Sequence, residues 1–114
     1  MRLRELIDAL DLTVHTPPED AGAEVTGGYV GDLLSDVIGN TRPGHLWITI
    51  QTHPNIVAVA VLKDLAAVVL ANGRAPLEET LRKARAEGVT LATSPLTSFE
   101  LAGRLYEILA VRAG

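Results

Sequence analysis

A chain of 114 residues, 47% apolar but only 4% aromatic, has to fill its core with Val, Leu, Ile and Ala, and it is long enough for one domain with a modest core. It has no cysteine, which excludes disulfides, thiolate nucleophiles and cysteine-ligated metals. A net charge of −4 and basic residues that form no stripe argue against nucleic acid as a partner.

In chain order, residues 1–22 are expected to form an N-terminal helix and a loop leading into the domain. Leu3, Leu6, Ile7 and Leu10 recur at i, i+3, i+4 and i+7, which predicts a helix over 3–10. Acids at Asp8 and Asp11 do not fit a secretory leader. Residues 12–16 (LTVHT) read as a short strand, and Pro17 to Gly22 as a loop by composition. Residues 24–26 read as a short extended segment. A helix is expected over 32–38, with a stop at Gly39-Asn40, followed by a turn at Arg42-Pro43-Gly44.

From His45 a rhythm begins. Residues 45–50 (HLWITI), 66–71 (AAVVLA) and 89–93 (VTLAT) have strand composition. Residues 77–87 carry acids early, bases late and Gly88 at the end, as a helix does. A last helix is predicted over 97–111, capped by Thr97 or Ser98, with Glu100 completing a capping box. The Val-Ala alternation of residues 55–64 suits either a strand or a buried helix. Connection logic selects the helix, because parallel neighbours need a crossover of roughly a dozen residues. The expected fold class is therefore α/β, with a mainly parallel sheet flanked by helices and three consecutive βα units in the C-terminal two-thirds.

Ligands of such sheets sit beyond the carboxyl ends of the strands. Those ends here carry Gln51, Thr52, His53 and Asn55, then Asn72 and Gly73, then Thr93 and Thr97. Each of these residues reads either as a cap or turn residue or as a ligand contact; Thr52, Asn55 and Thr97 also stand near helix N-termini, which favour anions. His53 reads as a surface histidine or as an acid, base or anion contact. Gly27-Gly28 and Gly31 read as a tight turn, or as backbone with positive φ cradling an anion before the helix. The spacing is neither that of a P-loop nor that of a dinucleotide fingerprint. Asp32 and Asp36, four apart, are expected on one helix face, as an acid–base pair or as solvated carboxylates. Trp47 reads as core or interface. His15, His45 and His53 lack metal-ligand spacing, and residues 56–70 are broken by Lys63-Asp64 and too short to cross a bilayer.

The stretches VTGGYVGDLLSDV, GHLWITIQTHPNIVAVAVLKDLAAVVLANG and TLATSPLTSFELAGRLYEIL resemble the DRTGG domain family, from about Glu24 to the C-terminus. Thr26-Gly27-Gly28 match the motif, while Glu24 and Val25 stand where the family name has Asp and Arg. The module is similar to the N-terminal domain of HPr kinase/phosphorylase, without the P-loop kinase domain. The resemblance implies a regulatory, dimer-forming α/β module associated with an adenine-nucleotide site and usually without activity of its own.

Three readings compete. The first is a non-catalytic regulatory module that binds a small anionic ligand, an adenine nucleotide first among them, through Thr26, Gly27, Gly28 and the three polar loops, and signals to an unidentified protein partner. The second is a ligand-free dimeric interaction scaffold. The third is an enzyme using His53 or the Asp32/Asp36 pair. The expected setting is a cytoplasmic homodimer with no cofactor, metal, nucleic acid or membrane partner.

Overall fold

The computed structural model describes residues 1–18 and 21–113. Its elements, in chain order, are α1 (Leu3–Ala9), β1 (Thr13–Thr16), β2 (Gly27–Val30), α2 (Leu34–Asn40), β3 (His45–Thr49), α3 (Asn55–Lys63), β4 (Ala67–Leu70), α4 (Glu78–Glu87), β5 (Leu91–Thr93) and α5 (Ser98–Ala113). The strands form one sheet in the order β1-β5-β4-β3-β2. β2, β3, β4 and β5 run parallel; β1 joins the far edge antiparallel to β5. The expected mainly parallel α/β architecture is what forms. Part of the expected loop at 17–22, namely residues 19–20, lies outside the described residues.

Side-chain alternation assigns the layers. Along β3, Leu46 and Ile48 face one way and Trp47 the other; along β4, Val69 opposes Val68 and Leu70. Leu46, Ile48 and Val69 pack against Leu3 and Leu6 of α1, Leu10 just after it, and Leu101 and Leu105 of α5. Trp47, Val68 and Leu70 pack against Val37 of α2, Ile56, Val57, Val59 and Ala60 of α3, and Ala84 of α4. The sheet is thus covered on both faces, which explains why β4 is apolar throughout and wholly buried. It also settles residues 55–64: burial at positions 56, 57, 59 and 60 has helical, not alternate, spacing.

Two expectations need correction. The tight turn expected at Gly27-Gly28 is instead the start of β2, and the segment at 24–26 before it lies outside the main sheet. Val25 donates its N–H to the Met1 carbonyl, and Glu24 bridges to Arg2. The strand beside β3 begins at Gly27, where composition disfavours one. Close packing is the reason. A Cβ on Gly28 would lie 2.7 Å from Cδ2 of Leu105, and one on Gly27 3.0 Å from Nε2 of His45. The glycines let α5 and the His45 ring approach the strand backbone.

The second correction concerns the helix expected from Asp32. It starts at Leu34, so Asp32 lies outside it and does not share a helix face with Asp36.

His45 opens β3 and accepts the Arg42 N–H at Nδ1, 3.3 Å away. Burial, and then the nearby Arg42 charge, hold its pKa below the ordinary 6.5. The folded chain therefore binds a proton here less readily than the unfolded chain. The resulting stability is complete above about pH 6.5, is lost as pH falls toward the depressed folded value, and levels off below it. In urea unfolding between pH 7.5 and 5, the wild type is expected to lose more stability than a His45→Asn variant. Parallel losses in the two would remove His45 from the account.

Candidate functional site

The carboxyl edge of the sheet has a natural focus. The chain leaves β4 for α4 on one face, whereas it leaves β5 for α5 on the other. Adjacent strands whose chains part to opposite faces open the crevice in which such folds bind ligands. Asn72 and Gly73 follow β4, Thr93 ends β5 and Thr97 follows it, so four sequence candidates meet at this focus. Asn72 and Gly73 are exposed and both have positive φ, 61° and 65°. Their N–H groups are not free: Asn72 donates to the Leu96 carbonyl at 2.7 Å and Gly73 to that of Ser94 at 3.0 Å. The two loops are stitched together by backbone, which leaves side chains to do any recognition. Thr97 forms half of the expected capping box: its Oγ1 accepts from the Glu100 N–H at 3.3 Å, while the Glu100 carboxylate accepts from the Thr97 hydroxyl at 3.2 Å.

The β3–α3 loop lies beside this focus on the same edge. Gln51 Nε2 donates to the Asp32 carbonyl at 2.9 Å. The Thr52 carbonyl accepts from the buried Thr80 hydroxyl of α4 at 2.6 Å. His53 is exposed, and its Nδ1 accepts from the Asn55 N–H at 3.0 Å, capping α3. Ile56 and Val57 donate back to the carbonyls of His53 and Pro54. The first N–H groups of α3, expected to attract an anion, are therefore occupied within the loop. Oδ1 of Asn55 is buried with no partner.

Asp32 closes the same loop from below. Its Oδ1 accepts from the Thr49 hydroxyl at 2.8 Å and from the Ile50 N–H at 3.0 Å. Asp36 instead accepts from the Tyr29 hydroxyl and from Asn40 Nδ2. The Asp36 bond raises the Tyr29 phenol above its ordinary range, keeping it a donor. The two carboxylates have separate partners and separate structural tasks.

Thr26, Gly27 and Gly28 stand elsewhere. They lead into β2 at the amino end of the sheet, opposite the other candidates. Neither Gly27, Gly28 nor Gly31 has positive φ, so the expected anion-cradling turn is not formed. Thr26 donates its hydroxyl to the Pro43 carbonyl at 3.0 Å and its N–H to that of Gly44 at 3.0 Å.

One residue at the carboxyl edge was missed. The register of β1 on β5 slips between Val14 and Thr16, so His15 occupies a bulge. Its Nε2 lies 2.9 Å from Oγ1 of Thr93. Bulges re-aim side chains in this way. No local pattern announces it, because the pairing spans most of the chain. Among the described residues, no group of three His, Asp or Glu is placed to hold a metal ion. No helix among them is long and apolar enough to cross a membrane.

No family model matches the chain, and no curated protein matches it. Its fold is that of a solved regulatory region. It superimposes on the crystal structure of the CBS and DRTGG domains of the regulatory region of Clostridium perfringens pyrophosphatase, complexed with the activator diadenosine tetraphosphate. The TM-score is 0.73 at 20% identity, over 91% of this chain and 45% of that one. The chain thus spans less than half the length of the structure it resembles.

Proposed function

We propose that the chain is a DRTGG-like, non-catalytic regulatory module. It binds a small anionic ligand, an adenine nucleotide being the first candidate, at the carboxyl edge of its sheet, and passes that state to a protein partner. The observation that supports this reading most is the likeness, over 91% of the chain, to a regulatory region crystallised with a dinucleotide activator. The parting of the chain after β4 and β5, with Asn72, Gly73, Thr93, Thr97 and the added His15 around it, supplies a place for the ligand. His53 and Asn55 border it. The separation of Asp32 from Asp36, and the use of His53 as a cap, both favour a non-catalytic role.

The test is a thermal-shift screen with AMP, ADP, ATP, diadenosine polyphosphates, cyclic dinucleotides and sugar phosphates. A ligand at a hundred times its Kd stabilises by about 2.7 kcal/mol, a rise of several degrees for a domain of this size. His53→Ala or His15→Ala should reduce that rise, whereas Thr26→Ala, at the opposite end of the sheet, should leave it intact. A blank across the panel would discard the nucleotide reading. It would favour a ligand-free interaction scaffold, a reading supported by the occupied N–H groups at the start of α3.

A further inference from the structure

β2 is the last strand of the sheet, and its outer edge pairs with no other strand. Gly31, just after it, donates its N–H to the Ile48 carbonyl of β3. Alternation along the strand therefore turns the N–H and C=O of Gly28 and Val30 to the open side. Proteins ordinarily blunt such an edge with charge, proline or a cover. Gly-Gly-Tyr-Val supplies neither charge nor proline. The two faces beside the edge differ. On the α5 face an apolar groove of about 550 Å³ runs along the strand, walled by Val30, Phe99 and Tyr106, with Gly28 and Gly103 in its lining. Phe99 is 88% exposed and Tyr106 77%, so neither ring is used by the core. On the α2 face stands a carboxylate. Tyr29, between Gly28 and Val30, turns to that face and donates its hydroxyl to Asp36. Asp36 is exposed, and among the described residues no cation pairs with it.

We propose that this edge takes an extended peptide segment of a partner protein as a sixth strand, with apolar side chains at i and i+2 and a lysine or arginine at i+1. A row of alternating N–H and C=O groups is matched by another extended backbone, not by a helix or a small molecule. Side chains of a strand alternate between faces. The apolar pair enters the α5 groove, whose volume lies within the roughly 300–1,000 Å³ of specific clefts. The residue between them comes out over the α2 face beside Asp36, where a cation finds its counter-charge. Glu107, exposed one helical turn beyond Gly103, and the net charge of −4 favour the same sign of partner.

A second β2 is a poorer occupant. Pairing two such edges symmetrically sets Asp36 against Asp36 on one face. On the other it offers the groove Gly28, where a side chain is wanted. Seating a peptide here requires no ligand at the carboxyl edge, so this surface stands or falls apart from the nucleotide reading.

The test is an affinity selection from a random peptide library against the whole chain, without nucleotide, followed by fluorescence anisotropy on the selected peptides. Apolar–basic–apolar triplets are expected to be enriched. N-methylation of a selected peptide at alternate positions should abolish binding, and at the intervening positions should not, because a strand turns only every other N–H to its neighbour. Gly103→Gln, which fills the groove, should weaken binding at least about tenfold. A side chain there meets nothing within 4 Å, so the protomer stays folded, which far-UV circular dichroism checks. Asp36→Asn should weaken a lysine-bearing peptide roughly threefold and leave unchanged one with glutamine in its place. Leu62→Glu, on the exposed face of α3, should change nothing. A library that yields no binder would overturn the proposal. So would binders without the triplet, binding indifferent to Gly103→Gln or to N-methylation, or binding lost with Leu62→Glu. Sedimentation velocity covers the remaining occupant: a dimer broken by Gly103→Gln would give the face to a second copy and overturn the proposal too.

Discussion

Replacing Trp47 with alanine is expected to remove about 3–5 kcal/mol of folding stability, the largest loss available to a single side chain here. Trp47 is 0% exposed and sits where β3 meets α2 and α3, among Val37, Ile56, Val57 and Val68. Its indole N–H donates to the Gly31 carbonyl at 2.8 Å. In a domain whose whole stability is about 5–15 kcal/mol, such a loss lowers the melting temperature by roughly 15 °C. Trp47→Phe separates two contributions. It keeps most of the ring volume and strands the carbonyl, so a loss of about 1–2 kcal/mol is expected. Urea unfolding followed by circular dichroism measures both variants. A loss below about 1 kcal/mol for Trp47→Ala would mean that the α2–α3 layer collapses onto the vacated space. The result also bears on function, because a tryptophan this committed to the core is no stacking platform for a base.

Much of the architecture was legible because it is written locally. The αβ rhythm after His45 shows in composition and in boundaries such as the Gly88 stop and the Thr97 cap. The helical nature of residues 55–64 followed from the crossover that parallel strands require. Features created by non-local pairing were not legible. β2 falls on Gly27–Val30, which propensity would reject, because Leu105 and His45 need space that only glycine leaves. His15 reaches Thr93 through a bulge in an antiparallel pairing that joins the two ends of the chain. The exposure of Phe99 and Tyr106 on α5 is hidden for another reason: they interleave with the core-facing residues, so the helix reads simply as apolar. Within the candidate site, residue types were readable and availability was not. Asn72, Gly73 and the start of α3 have the right chemistry, but their N–H groups are bonded within and between the loops.

Gly44→Ala is expected to cost about 2–4 kcal/mol, from two separable sources. Gly44 has φ +83°, a conformation that costs an L-residue about 1–2 kcal/mol. Its Cβ would also stand 2.8 Å from Oγ1 and 3.1 Å from Cγ2 of Thr26. Thr26 cannot swing aside freely, because its hydroxyl is donated to the Pro43 carbonyl. Thr26→Ala alone should cost about 1 kcal/mol, by loss of that bond. In the Thr26→Ala background, however, Gly44→Ala should cost only the backbone part. The double variant should then be more stable than the sum of the singles by about 1 kcal/mol. Gly44→Asn places the same Cβ against Thr26 but tolerates the left-handed backbone better, so it should fall short of Gly44→Ala in damage. Strict additivity would show that Thr26 is not the obstacle. Coupling of the expected sign would give the Thr26-Gly27-Gly28 run a structural task throughout. Thr26 clasps the turn before β3, Gly27 admits His45 and Gly28 admits Leu105, all at the end of the sheet away from the candidate ligand edge.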